Sequence, residues 1–138
     1  MASVNMKTTI NAPASDVWQT VSDFNGLGRF VAAVADSSVD GSGVGSKRTL
    51  TLQDGATLIE QLESLDEGSR SLKYSIVSGP LPVDNYLSTV EVNELGPNQC
   101  EVCWSSTFEP KGVPENDARE AIQGVYSMGF DGLKKLFP

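Results

Sequence analysis

The sequence contains no histidine. That absence removes serine–histidine–aspartate and cysteine–histidine catalysis, and every histidine-ligated metal site. Any acid–base chemistry falls to Asp, Glu, Lys, Tyr or Cys, and neither a metal nor a cofactor is expected. Cysteine is almost as scarce, with Cys100 and Cys103 the only two. They spell Cys-x-x-Cys, a spacing shared with redox and zinc motifs. The flanking residues alternate as a strand, which turns the two side chains to opposite faces with Cα atoms about 10 Å apart at ~3.3 Å per residue. A disulfide needs Cα atoms within about 7 Å, so a reduced, cytoplasmic setting is expected. No apolar run is long enough for a transmembrane helix, and no charged segment followed by an apolar core opens the chain as a secretory signal would. Membrane insertion is therefore not expected. Positive charge is short as well: 10 Lys and Arg against 18 Asp and Glu leave a net charge of −8. Nucleic acid and anionic membrane surfaces both select for clustered Lys and Arg, so neither is an expected partner.

What remains is an ordinary soluble composition, 39% hydrophobic and 20% charged over 138 residues, which fits a single domain spanning 1–138. The chain is organised around its C-terminal stretch. In residues 114–137, Ala118, Ile122, Val125, Gly129, Leu133 and Leu136 recur at three- and four-residue spacing, one stripe of a long α-helix. Pro114 suits a first helical position, where no N–H is needed. Glu115 and Asp117 complement the positive end of the helix dipole, and Lys134 and Lys135 the negative end. Gly124, Gly129 and Gly132 lie inside this helix, each costing about 1 kcal/mol relative to alanine. Gly129, on the stripe itself, leaves room either for a ligand or for close packing of helix on sheet.

Nearly everything between reads as strand. Val4, Met6, Thr8 and Ile10 share one side of a strand over residues 3–11. A short helix follows Pro13 and runs to about Asp23 with Val17, Trp18 and Val21 inward, and a second short helical piece follows the glycine-broken turn at 24–30. Strands continue over 34–40 and 70–78, through Tyr86, Ser88, Val90 and Val92, and through Cys100, Val102, Trp104, Ser106 and Phe108. The glycine-rich stretch 41–45 is no phosphate cradle, since it lacks the Gly-Lys-Ser/Thr ending and no helix follows. Residues 78–84 form a proline-stiffened loop that leaves Leu81 and Val83 exposed. Consecutive hairpins make the sheet antiparallel, and helices at its ends make the class α+β.

One hairpin can be fixed in detail. Arg48, Leu50 and Leu52 share a face of one strand; Leu58, Glu60 and Leu62 share a face of the next. A two-residue loop at Asp54-Gly55 would send these sets to opposite sides of the sheet. A three-residue loop, Gln53-Asp54-Gly55 with Gly55 left-handed, gathers the leucines on one side. That register sets Arg48 opposite Glu60 on an apolar face. The two are either a mutually satisfied structural pair or a polar anchor in a pocket, and the pairing is expected to keep Glu60 ionised.

Several pieces in order resemble one superfamily. These are the opening strand running into Ala12-Pro13-Ala14-Ser15-Asp16-Val17-Trp18; Gly45-Ser46-Lys47-Arg48; the Glu60-to-Asp66 strand; Tyr74-Ser75-Ile76 with Gly79-Pro80-Leu81-Pro82 and Tyr86; and Trp104 with Phe108. Nearly the whole chain is similar to the START/Bet v 1-like helix-grip (SRPBCC) proteins, in their polyketide cyclase/dehydrase-type branch. The resemblance implies a seven-stranded antiparallel sheet wrapped around a long C-terminal helix, with two short helices after the first strand. It also implies a small hydrophobic or amphipathic molecule held between sheet and helix. In lachrymatory-factor-synthase-like members an Arg, a Glu and a Tyr face the pocket, and by motif these fall on Arg48, Glu60 and Tyr86. Leu50, Leu58 and Leu62, then Tyr74, Ile76 and Ser88, are expected in the pocket wall. Trp104 and Phe108, and the helical Ile122, Val125 and Gly129, would complete it. Two functions fit: a non-catalytic binder acting as monomer or homodimer, or a cyclase, dehydratase or isomerase. In the second, Glu60 would serve as acid or base, Arg48 as oxyanion partner and Tyr86 as proton donor.

Overall fold

In a computed structural model describing residues 1–138, the strands are β1 (Ala2–Ile10), β2 (Val34–Asp40), β3 (Lys47–Leu52), β4 (Thr57–Asp66), β5 (Ser71–Ser78), β6 (Val83–Gly96) and β7 (Gln99–Pro110). They form one seven-stranded sheet in the order β1-β7-β6-β5-β4-β3-β2, each neighbouring pair antiparallel. Helix α1 (Ala14–Ser22) follows β1, and α2 (Glu115–Leu136) follows β7. The second short helical piece is a single 3-10 turn, Leu27–Arg29. This is the helix-grip α+β fold. Helix α2 packs against β1 and β7, α1 against β6 and β7, and the 3-10 turn against β2.

Alternation decides which face is buried. On β7, Cys100, Val102, Trp104, Ser106 and Phe108 are all buried, and the residues between them are more exposed. Cys100 and Cys103 point to opposite faces and are both free. The β3–β4 hairpin takes the three-residue loop, with Gly55 at φ 88° and Leu50 paired with Leu58. Val83 departs from its expected place in an exposed loop. It opens β6 and is buried. A bulge between Asp84 and Leu87, with Asn85 at φ 52°, shifts the phase so that Val83 and Tyr86 both turn inward.

The helix stripe is also rotated from expectation. Tyr126 and Phe130 are buried, whereas Val125 is half-buried and Leu136 is 44% exposed. The four-residue series Ala118, Ile122, Tyr126, Phe130 carries the contact because its aromatic members reach Trp104. The Tyr126 ring stacks on the indole at 4.2 Å and 18°, and Phe130 lies tilted at 6.2 Å. Gly129 is occupied space: a Cβ there would overlap the Trp104 ring. At Gly132 a Cβ would fall onto the Phe30 carbonyl oxygen, so the helix and the 3-10 segment touch backbone to backbone. Pro114 caps the helix one residue before its first turn.

The three helical glycines therefore differ in kind. Gly124 has no atom within 4 Å of an added Cβ, so Gly124→Ala should stabilise the fold by about 1 kcal/mol, the helix-propensity difference. Gly132→Ala should destabilise it despite the same propensity gain. Urea denaturation of both variants checks this, and equal shifts for the two would contradict the backbone contact at Phe30.

Candidate functional site

Two polar clusters interrupt the apolar concave face of the sheet. The first is the pair that the hairpin register creates. Arg48 lies opposite Glu60, and its Nε and Nη2 donate to Glu60 Oε1 at 2.8 and 2.7 Å. Its Nη1 donates to the Phe24 carbonyl at 3.2 Å. The guanidinium carbon sits 4.1 Å from the Phe24 ring centroid and 5.0 Å from that of Tyr74, in cation–π range of both. Arg48 and Glu60 are each 4% exposed. Burial raises the Glu60 pKa above its ordinary 4.5 and outweighs the lowering by the charge and hydrogen bonds of Arg48. Arg48 favours the ionised form, as expected from the pairing, and burial opposes it more strongly, so the net direction is upward.

The second cluster is a chain of hydroxyls. Trp104 Nε1 lies 3.1 Å from Tyr74 Oη and 3.0 Å from Ser88 Oγ. Tyr74 Oη is 3.2 Å from Tyr86 Oη, which in turn bonds Tyr126 Oη. Tyr126 Oη is 3.0 Å from Ser88 Oγ, which donates to the Ser105 carbonyl at 3.0 Å. The indole N–H can only donate and the carbonyl can only accept. One direction therefore gives every proton an acceptor: Trp104 to Tyr74, Tyr74 to Tyr86, Tyr86 to Tyr126, Tyr126 to Ser88, Ser88 to Ser105. Burial raises the pKa of Tyr74 and Tyr86 far above the usual phenol value, and that of Tyr126 more modestly. All three hydroxyls keep their protons at neutral pH. Ser106 Oγ lies beside Tyr126 and partly offsets that burial effect, but has no partner in good hydrogen-bonding geometry.

Between the clusters is a small cavity of about 20 Å³, room for about one water molecule. Its floor is Arg48, Leu72, Tyr74, Val90, Val102 and Trp104 from the sheet; its roof is Val21, Leu27, Phe30 and Leu133. Among the residues expected from the sequence, Arg48, Tyr74 and Trp104 line it. Glu60 stands behind Arg48, and the Tyr86 and Ser88 hydroxyls belong to the chain above. Leu50, Leu58, Leu62, Phe108 and Ile122 lie in the surrounding core, Ile76 and Val125 are half-buried, and Gly129 packs on Trp104. The roof comes mainly from the end of α1 and the 3-10 segment, with α2 contributing Leu133. Phe24 and Tyr126 were not expected here. A carbonyl partner leaves no sequence signal, whereas Tyr126 was signalled by its four-residue spacing from Ile122 and Phe130.

A family model described as polyketide cyclase/dehydrase and lipid transport matches residues 1–138. The chain belongs to that family. The chain is 33% identical over 136 residues to the abscisic acid receptor PYL2 of Arabidopsis thaliana, covering 90% of this chain and 71% of the receptor. The solved structure of XoxI from Bacillus cereus superposes with a TM-score of 0.93 at 36% identity, covering 99% of this chain and 96% of that one. Norcoclaurine synthase from Thalictrum flavum shares the fold, with a TM-score of 0.76 at 23% identity over 98% of this chain and 85% of that one. No helix is long and apolar enough to cross a membrane.

The Glu60 shift has a definite sign in stability. A carboxyl whose folded pKa is raised contributes stability that is fully present below the unfolded value, near 4.5, and lost as pH rises through the folded value. In Glu60→Gln that dependence is gone. Wild type should therefore lose stability relative to Glu60→Gln as pH rises from about 4.5, read by urea denaturation across pH. A relative gain for wild type over that range would show that the Arg48 charge, not desolvation, dominates.

Proposed function

We propose that this chain binds a small amphipathic molecule, its apolar body between the sheet and the residues 21–30 segment and its polar end at Arg48. The observation that carries the reading is the lining of the cavity, nine hydrophobic residues of ten with Arg48 the one charged group. An apolar enclosure with one convergent polar group is the usual form of a small-molecule site. Membership of a family described by cyclase, dehydrase and lipid-transport roles, and likeness to a protein named as an abscisic acid receptor, support it further. A carboxylate or carbonyl oxygen would suit Arg48, whose fork favours planar oxygen acceptors. Burial favours the protonated form of Glu60, so uptake of one proton there would balance the charge of an incoming anion.

A cyclase, dehydratase or isomerase role is the second reading. What favours it is the same Glu60, a buried carboxyl held able to carry a proton. Arg48 would stabilise a developing oxyanion, and Tyr86 would supply a proton only after giving up its bond to Tyr126.

Anilinonaphthalene sulfonate, an apolar probe with an anionic end, tests the binding reading by NMR titration. Saturable shifts should centre on Leu72, Val90, Val102 and Leu133. Shifts confined to the outer face of the sheet, or none, would overturn the reading. Under the second reading, a molecule that co-purifies from native extract would be converted by wild type and only bound by Glu60→Gln.

A further inference from the structure

The roof of the cavity is held down at one part-buried polar point. Inside residues 23–30 the hydrogen bonds are local: Gly26 N–H to Asp23, Arg29 N–H to Gly26 and Phe30 N–H to Leu27, at 2.8 to 3.2 Å. Two hydrogen bonds reach this stretch from the sheet. Ser37 Oγ donates to Asn25 Oδ1 at 2.8 Å on the exposed surface. Arg48 Nη1 donates to the Phe24 carbonyl at 3.2 Å, beneath the Phe24 ring. Past the segment the chain is pinned again. The Phe30 carbonyl lies against Gly132, and Ala33 O accepts from Gln53 N–H at 2.9 Å. The stretch thus runs from the buried end of α1 at Val21 to that pinned point, and is fastened in the middle by Arg48, the one charged residue lining the cavity.

We infer that residues 23–29 are the lid of the cavity and that Arg48 is its latch. The polar end of a ligand and the Phe24 carbonyl compete for the same guanidinium. Resting on the binding reading above, this adds the route of access and couples it to occupancy. A space of about 20 Å³ admits no organic ligand until part of its wall moves. The floor is built from hydrogen-bonded strands, so lifting it would break the sheet. The roof segment gives up the Arg48–Phe24 and Ser37–Asn25 hydrogen bonds, one cation–π contact and the packing of Leu27, and no strand pairing. A carboxylate or sulfonate oxygen makes a stronger, charge-assisted bond to Arg48 than a neutral carbonyl does. An anionic ligand therefore replaces the tether it breaks, and a neutral apolar one does not.

The geometry offers a staple to test this. A Cβ on Gly28 would lie 3.7 Å from the Val34 Cβ, within the roughly 3.5–4.5 Å that a disulfide spans. Gly28→Cys combined with Val34→Cys should join the roof to the start of β2. Stopped-flow association of anilinonaphthalene sulfonate should be at least about tenfold slower in the oxidised variant than in the reduced one, with reductant restoring the rate. Equal rates, with the probe still shifting Leu72 and Val90, would overturn the lid and leave the binding reading standing. Failure of the probe to reach those residues in wild type would overturn both. The latch is read without any ligand in Arg48→Lys, because lysine keeps the charge but not the fork that holds Glu60 and Phe24 together. Amide exchange at Gly26, Arg29 and Phe30 should quicken by about tenfold while that of Val102 holds. Unchanged exchange at the three roof amides would overturn the latch.

Discussion

The ion pair between Arg48 and Glu60 is the constraint on which the rest of this structure depends. Two charges have been taken out of water on an apolar face, at a desolvation cost that only close geometry and further hydrogen bonds offset. Arg48 meets that condition by spending its donors in two directions, on Glu60 across the hairpin and on Phe24 above it. A slip of one residue in the β3–β4 register would send Arg48 and Glu60 to opposite faces and the leucines of one strand into water. The pair therefore specifies the register, and the register decides that a guanidinium faces the cavity.

The hydroxyl chain solves a related problem without charge. Tyr86 and Tyr126 each bring a large apolar body and one polar atom into the core, a combination tolerated only where the hydroxyl finds a partner. The chain from the Trp104 indole to the Ser105 carbonyl gives each proton a destination. It joins β5, β6, β7 and α2 through four side-chain hydroxyls and one indole. Gly129 lets the helix approach the face of Trp104, and Tyr126 stacks on it. This part of the concave face is filled and satisfied, which leaves the free volume beside Arg48 under the 21–30 segment.

Period and register were legible in the sequence because they are local. Alternation on β7, the three-residue loop at Gly55 and the opposition of Arg48 and Glu60 all follow from residues within a dozen positions of one another. The helix existed as read, but its inward face turned on which of two adjacent residues, Val125 or Tyr126, the core accepts. That choice belongs to Trp104, far away in sequence. Val83 was misplaced because a bulge shifts phase, and Asn85 gives little local notice of one. The cavity was least legible. Its roof comes from a stretch too short to show a period, and its key partner is the Phe24 carbonyl, which every residue type shares. The direction of the Glu60 shift likewise required knowing how completely the pair is buried.

The central claim is that one buried pair both holds the fold and offers the site. The direct test is a double-mutant cycle, Arg48→Met and Glu60→Leu singly and together, read by urea denaturation and by anilinonaphthalene sulfonate binding. Each single change should cost about 3–5 kcal/mol, because a cavity with room for about one water cannot solvate the charge left behind. The double change should recover most of that stability without recovering the binding. Small, additive losses would contradict the buried pair, and a stable double variant that binds the probe as tightly as wild type would contradict Arg48 as the anchor.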